Sequence, residues 1–366
     1  MTAQVLAALV VDGTVTLDDP IGTWLDGGDN GAITLLELAT HTSGLPRMGA
    51  NAGDGPTFDP QDPFAAYTAE MAEAALRDSP RSANATSEYS NLGFQLLNVA
   101  LERAANTPFE ELLRRHVFEP FGLTTASVGP GPNQVQGYAG GKPTPPWHVS
   151  LPGPGGINGT IGDVLAWGRA VLDPPAGPPG DALSLALQPR APYAAGRVGL
   201  AWHFLDNSIV WHNGGTYGTR TCLAISRDAR RVAASLVAAG GTEFVDNATF
   251  LACAGGDPME ARPAPAGDEH NDAAVEIVTR LAAHRWVDSQ SMMSESCATA
   301  LTVERLSDAW AEVMDTRGAY QSCEVERVSR QQGFTTVRLT LTFSNDTGIA
   351  EVSFDDVGLV AGLRIE

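Results

Sequence analysis

The amino-acid sequence predicts an α+β fold in two parts: an antiparallel sheet flanked by helices together with an all-helical region, then a small α+β domain. Three observations predict it. The 366 residues, 43% of them hydrophobic, can bury more than one ordinary domain core. Strand patterns cluster late in the first 255 residues, after a run of helical ones. Residues 255–271, GGDPMEARPAPAGDEHN, combine glycine, proline and acids and read as a linker. The expected domains are therefore 1–254 and 272–366.

The chain opens in an amphipathic helix with Val5, Leu6, Leu9 and Val10 on one stripe, entered without a cap. Thr34 to Glu37 has capping-box spacing, as has Thr107-Pro108-Phe109-Glu110, with proline at the first helical position. Thr160 to Asp163 is an acidic variant ahead of Val164, Leu165 and Trp167. Residues 64–76 and 91–104 read as helices, and glycine and proline make 124–160 rich in loops. Strands are expected at 197–204, 209–212, 219–226 and 232–238, with a turn at Asp228-Ala229-Arg230 and a closing helix at 242–253. Beyond the linker, 273–284 and 303–316 read as helices. Val337, Leu339, Leu341 and Phe343 then alternate with Arg338, Thr340 and Thr342 as a half-buried strand. Val352 and Phe354 begin another, and 359–365 ends the chain.

Net charge is −20, from 43 acids against 23 bases. Phosphate binding needs basic patches, so neither nucleic acid nor an anionic membrane surface is expected as a partner. A small molecule or peptide is. No run of about 18 apolar residues would span a bilayer, and Thr2, Ala3 and Gln4 do not begin a signal peptide. Cys222, Cys253, Cys297 and Cys323 form no C-x-x-C pair. They leave open two disulfides, Cys222–Cys253 and Cys297–Cys323, or four buried thiols. The histidines are scattered, with no His-Glu-x-x-His, and Gly141-Lys142 runs into Pro143. No metal, phosphate loop or cofactor is expected.

Three segments could carry chemistry. In Glu88-Tyr89-Ser90-Asn91, the tyrosine stands just outside a helix N-terminus, where the dipole favours the phenolate. Asn91 can aim donors and an acceptor at a substrate amide. Equally open is Asn91 as an N-cap with Tyr89 as surface packing. Trp211-His212-Asn213-Gly214-Gly215-Thr216-Tyr217-Gly218 ends a strand in glycines that let a ligand approach the backbone, and their N–H groups can form half of an oxyanion hole. Pro154-Gly155-Gly156-Ile157-Asn158-Gly159-Thr160 is a glycine turn that could cradle a ligand or serve as a plain loop.

In order and spacing these segments resemble the serine β-lactamase, D-alanyl-D-alanine carboxypeptidase and esterase family, near the class C enzymes. The resemblance rests on LDDPI (17–21), ITLLELATHTSGLP (33–46), YSNLGFQLLNVALE (89–102), FEPFGLTTAS (118–127), GGINGTIGDVLAWG (155–168) and HNGGTYG (212–218). It implies a β-lactamase/transpeptidase-like fold. Tyr89 and Asn91 match the family's Tyr-x-Asn motif, and His212, Asn213 and Gly214 match the His-x-Gly form of its third motif. The resemblance implies that Tyr89 acts in acid–base catalysis, Asn91 holds substrate, His212 binds or polarises the acyl group, and Gly215 offers an oxyanion N–H.

The family's first motif, Ser-x-x-Lys, is absent. Lys142 is the only lysine, and Ala139 stands three residues before it. Ser43 of HTSGL reads as structural. The resemblance implies a serine hydrolase working through an acyl-enzyme, peptidase or esterase favoured, whose nucleophile segment and first strands precede Met1. The alternatives are an inactive binding protein for a cell-wall peptide or lactone, or a non-functional fragment. For the full-length parent, export or a cell-envelope location is expected. The C-terminal part resembles a small domain of unknown function with the cone-like fold of nuclear transport factor 2, on the residues 273–281, LSDAW (306–310), Gly318-Ala319-Tyr320 and VGLVAGLRI (357–365).

Overall fold

The computed structural model describes residues 1–53, 58–59, 62–82, 87–131, 133–139, 141–193, 196–205, 208–240, 244–256, 258, 269–331, 334–355 and 358–365. Of the expected linker, 257 and 259–268 lie outside them, as do 242 and 243 of the expected closing helix. The chain divides into two compact units, Met1–Gly256 and Asp257–Glu366.

In the first unit, helices α1 (Thr2–Val11), α2 (Leu35–Ala39), α3 (Ala69–Asp78), α4 (Asn91–Ala105) and α5 (Phe109–Leu113) come first. Helices α6 (Ile161–Leu172), α7 (Pro178–Ala186) and α8 (Phe244–Ala254) follow. Four two-residue strands, β1 (Ser127–Val128), β2 (Tyr138–Ala139), β3 (Lys142–Pro143) and β4 (Ile157–Asn158), pair as β1–β4 and β2–β3. The main sheet is antiparallel and six-stranded: β5 (Ala191–Tyr193), β6 (Gly196–Val198), β7 (His203–Leu205), β8 (Ile209–Gly215), β9 (Arg220–Ser226) and β10 (Arg231–Val237), in the order β10-β9-β8-β7-β6-β5.

Register assigns the two faces of this sheet. His212, Leu223 and Ala234 lie opposite one another, as do Asn213, Cys222 and Ser235 on the adjacent row. Adjacent rows point to opposite faces. A Cβ on Gly168 of α6 would meet Val232 at 2.5 Å and Leu223 at 2.9 Å, so glycine lets α6 lie flat on the His212 face. On the other face, Thr249 of α8 donates to Ser235 Oγ and Phe250 packs edge-on against Trp211.

The capping signals at Thr34 and Thr160 form as complete capping boxes. Thr107 does not cap. Its hydroxyl donates to Ala105 O at 3.0 Å, closing the end of α4, and Pro108 precedes α5 without a side-chain cap. Residues 64–66 form turns rather than the start of a helix, because Thr68 captures Met71 N and begins α3 later, while Phe64 packs on Trp147. The expected strand 197–204 is two strands, broken where Gly199 N donates to Trp202 O with Ala201 at φ 62°. Helix α1 is not amphipathic: seven of its ten residues are buried, and it packs on α4 and α7.

The second unit contains α9 (Glu269–Ala282), α10 (Trp286–Gln290), α11 (Glu295–Ala300) and α12 (Val303–Arg317). They are followed by strands β11 (Tyr320–Gln331), β12 (Phe334–Phe343), β13 (Thr347–Phe354) and β14 (Val360–Ile365), antiparallel in that order. Val337, Leu339, Leu341 and Phe343 are buried with Ile277 and Leu281 of α9 and Trp310 of α12. On the opposite face Arg338 binds Glu326 and Glu351 at 3.0 and 2.8 Å. Strand β11 hides in the sequence because two bulges break its alternation. All four cysteines are free thiols, so neither disulfide forms; Cys222, Cys253 and Cys297 are buried, whereas Cys323 is only half-buried.

Replacing Thr34 by Ala is expected to cost about 1 kcal/mol in urea unfolding, whereas Thr107→Ala costs under about 0.5 kcal/mol. Equal losses would mean that Thr107 caps α5 after all.

Candidate active site

The first turn of α4 is built on a loop far away in sequence. Four N–H groups at a helix start have no partner within the helix. Here Ser90 is the N-cap and its Oγ accepts from Gly93 N at 3.0 Å. Arg47 O accepts from Asn91 N at 2.9 Å and from Leu92 N at 3.2 Å. The loop 41–47 holds the residues ahead of the helix as well. Glu88 N donates to His41 O, Ser90 N to His41 Nδ1 at 3.1 Å, and Ser90 Oγ to Pro46 O. Since Ser90 does the capping, the Asn91 side chain is free of that task, and its Nδ2 faces Met48 Sδ at 3.6 Å.

Tyr89 lies between two layers. The Arg47 guanidinium sits 5.2 Å from its ring centre and the His41 ring 4.4 Å away. Its third neighbour is His212, at 6.5 Å between ring centres. Two of the motifs singled out in the sequence thus meet, although they are far apart in the chain. The expected phenolate does not follow. Burial pushes the Tyr89 phenol above its ordinary value, against the pull of Arg47. Desolvation outweighs the Arg47 charge here.

His212 lies on β8, with Asn213, Gly214 and the exposed Gly215 after it. His212 Nδ1 is 2.6 Å from Asn213 O, a carbonyl that can only accept. Nδ1 therefore carries the proton in the neutral ring and Nε2 carries a lone pair. Burial is the main reason that the His212 pKa falls to about 4. The Asn213 side chain belongs to the opposite face: it donates to Asp246 Oδ2 at 2.7 Å, and Arg220 also binds Asp246. Asp246 is buried, so this paired charge anchors the end of β8 to α8. Gly214 and Gly215 pair with Thr221 and Arg220.

Sequence reasoning missed three residues. His41 and His203 are buried, and Tyr193 packs 4.5 Å from His203. His203 stacks 5.2 Å from His212 and 6.5 Å from His41. No spacing rule links these positions. In the glycine turn 154–160, Ile157–Asn158 pairs with β1 and Thr160 caps α6. Asp163 in that capping box accepts from both Thr125 and Thr160. These bonds outweigh its burial and hold its carboxyl below the usual value. At the rim, Tyr217 packs edge-on against Trp147, which in turn meets Phe64. Among the described residues, no cluster of side chains is suited to a metal ion.

Burial lowers His41 to about 3 and His203 to about 2. An unfolded histidine takes its proton near pH 6.5, so between that value and the folded ones the unfolded chain binds more protons. Stability therefore falls as pH drops below about 6.5. Each of the three histidines adds up to about 1.4 kcal/mol per pH unit to that slope. In urea titrations from pH 7 to 4.5, His203→Phe is expected to lower the slope by about one proton's worth. An unchanged slope would mean that His203 is charged in the fold.

Comparison with known proteins sets this site in a family. The Beta-lactamase family model matches residues 1–256, and that of a protein of unknown function (DUF3887) matches 274–363. The chain is 33% identical over 185 residues to D-alanyl-D-alanine-carboxypeptidase/endopeptidase AmpH of Escherichia coli (strain K12), a match covering 47% of this chain and 46% of that protein. It spans about half the length of the curated relatives it matches. A β-lactamase/D-alanine carboxypeptidase from Yersinia pestis, solved with citrate, superposes with TM-score 0.57 at 26% identity, over 69% of this chain and 80% of that one. An octameric penicillin-binding protein homologue from Pyrococcus abyssi has TM-score 0.59 at 16% identity, over 100% of this chain and 85% of its own, a likeness of fold alone. With its strands, its Tyr89–His212 pair and 256 matched residues, the chain belongs to the Beta-lactamase family.

Proposed function

We propose that this chain is the body of a serine hydrolase that cleaves an amide, β-lactam or ester carbonyl through an acyl-enzyme, with peptidase or esterase activity favoured. The observation that carries the reading is the meeting of Tyr89 and His212 at the glycine end of β8. No Ser-x-x-Lys occurs in the 366 residues. In this reading the nucleophile comes from such a segment ahead of α1. The serine oxygen adds to the carbonyl, and its proton passes by way of the Tyr89 oxygen to the leaving amine or alcohol. Asn91 orients the substrate amide. The Gly215 N–H, with Gly214 ahead of it allowing close approach, holds the oxyanion. In its neutral form His212 offers Nε2 as an acceptor. It would bind a substrate N–H or O–H rather than donate to the acyl oxygen. A D-alanyl peptide is the substrate class suggested by the name of the Escherichia coli relative, and the cell envelope is where such peptides occur.

Fluorophosphonate and penicillin labelling tests this. The 366-residue chain is expected to take no label. The same chain joined to an upstream segment bearing Ser-x-x-Lys is expected to be acylated on that serine. Tyr89→Phe in the joined protein should slow acylation about 10²–10⁴-fold. Labelling of another serine in the shorter chain, or a folded joined protein that takes no label, would sink the reading.

A further inference from the structure

The structure points to a residue that the motifs do not name. We propose that His41 is a positioning residue for Tyr89, holding the phenol through the Nδ1 acceptor that binds the Ser90 amide and through the ring face that lies against it. The proposal rests on the reading of Tyr89 as the proton carrier.

Four observations carry it. His41 stands at φ 59°, in the left-handed region that non-glycine residues rarely adopt. Backbone in that region is kept only where its surroundings hold it. Its side chain is 1% exposed, and its Nδ1 receives Ser90 N–H, the residue next to Tyr89. Its carbonyl receives Glu88 N–H on the other side of Tyr89. One residue thus grips the backbone on both flanks of the phenol and packs its ring against the phenol itself. Because Nδ1 accepts, Nε2 must carry the proton, and Nε2 is buried without a hydrogen-bond partner among the described residues. An unpaired buried donor is costly, and it is the ring orientation demanded by Ser90 that leaves it so. The groups facing the ring are Tyr89, Phe94, Tyr193 and His203; burial disfavours an imidazolium there, and the Arg47 charge adds to it. A neutral acceptor is what this pocket keeps.

The test uses the chain as it stands. In ¹⁵N-histidine NMR at neutral pH, His41 is expected as the Nε2–H tautomer; an Nδ1–H tautomer overturns the proposal. Three variants then separate hydrogen bond from bulk. His41→Asn places Oδ1 near the site of Nδ1 and suits the left-handed backbone. His41→Gln moves the oxygen one bond further out, and His41→Phe keeps a ring without an acceptor. In His41→Phe, exchange of the Ser90 amide with solvent should speed up about tenfold, the loss of one buried hydrogen bond. The Tyr89 phenol, followed by its ¹³Cζ resonance and identified with Tyr89→Phe, should shift its titration by about half a pH unit or more. His41→Asn should return both readouts towards their original values. The proposal fails if His41→Phe melts as before and moves neither readout, or if His41→Asn restores neither. Should His41→Phe not fold, His41→Gln must show the faster Ser90 exchange, and slow exchange in both polar variants refutes the acceptor role. None of these readouts needs turnover, so the expected tautomer together with a folded joined protein that takes no label would refute the catalytic reading and leave the positioning one standing.

Discussion

The first turn of α4 carries both Tyr89 and Asn91 at its edge, and its N–H groups find their acceptors in the loop 41–47. Arg47 O takes two of them, and Ser90 takes a third while being tied to Pro46 and His41. Unmet donors at a helix start must be satisfied somewhere. Satisfying them with the Arg47 carbonyl and the Ser90 hydroxyl leaves the Asn91 side chain and the phenol of Tyr89 available to the site. The hydroxyl of Ser43 accepts from Leu45 N, and Arg81 donates to its carbonyl, so the loop is itself tied down from within and from α3's far side.

From that anchored turn the rest of the site follows by packing. The sheet presents His212 on the same face as Leu223, under α6, and turns Asn213 to α8. Asp246 binds Asn213 and Arg220 together, which fixes the end of β8 where the glycines begin. A buried carboxylate with two partners is weak evidence of stability but good evidence of geometry, since removing Arg220 would leave its charge without compensation. The glycines then stand beside a strand end that cannot drift.

The electrostatics of the site run against those of the whole chain. The protein carries a net charge of −20, yet the groups around Tyr89 are neutral imidazoles and phenols with one guanidinium laid over the ring. Desolvation keeps His41, His203 and His212 uncharged. A site of this kind is a poor host for bare anions spread over a surface. It is a good one for a polarised carbonyl approached by directed N–H donors, where low dielectric strengthens each hydrogen bond.

Much of this was legible in the chain itself. Thr34 and Thr160 formed the boxes that their spacing implied, β12 buried every second residue, and helix α4 began where the pattern placed it. These signals are local: a cap reaches three residues, and a strand repeats every two. Where two local signals competed, tertiary packing chose between them. Thr107 went to the end of α4 instead of the start of α5, and Phe64 went to Trp147 instead of into a helix. The residues that resemble the family's motifs, Tyr89, Asn91, His212, Gly214 and Gly215, could also be picked out from the sequence. The sequence by itself could not say that His41 lies against Tyr89, that Arg47 covers it, or that Asn213 turns away from His212. Those facts depend on contacts such as Ser90 N–H to His41 Nδ1, spanning 49 residues. No periodicity encodes such a bond, because it forms only when the loop, the helix start and the sheet are packed together.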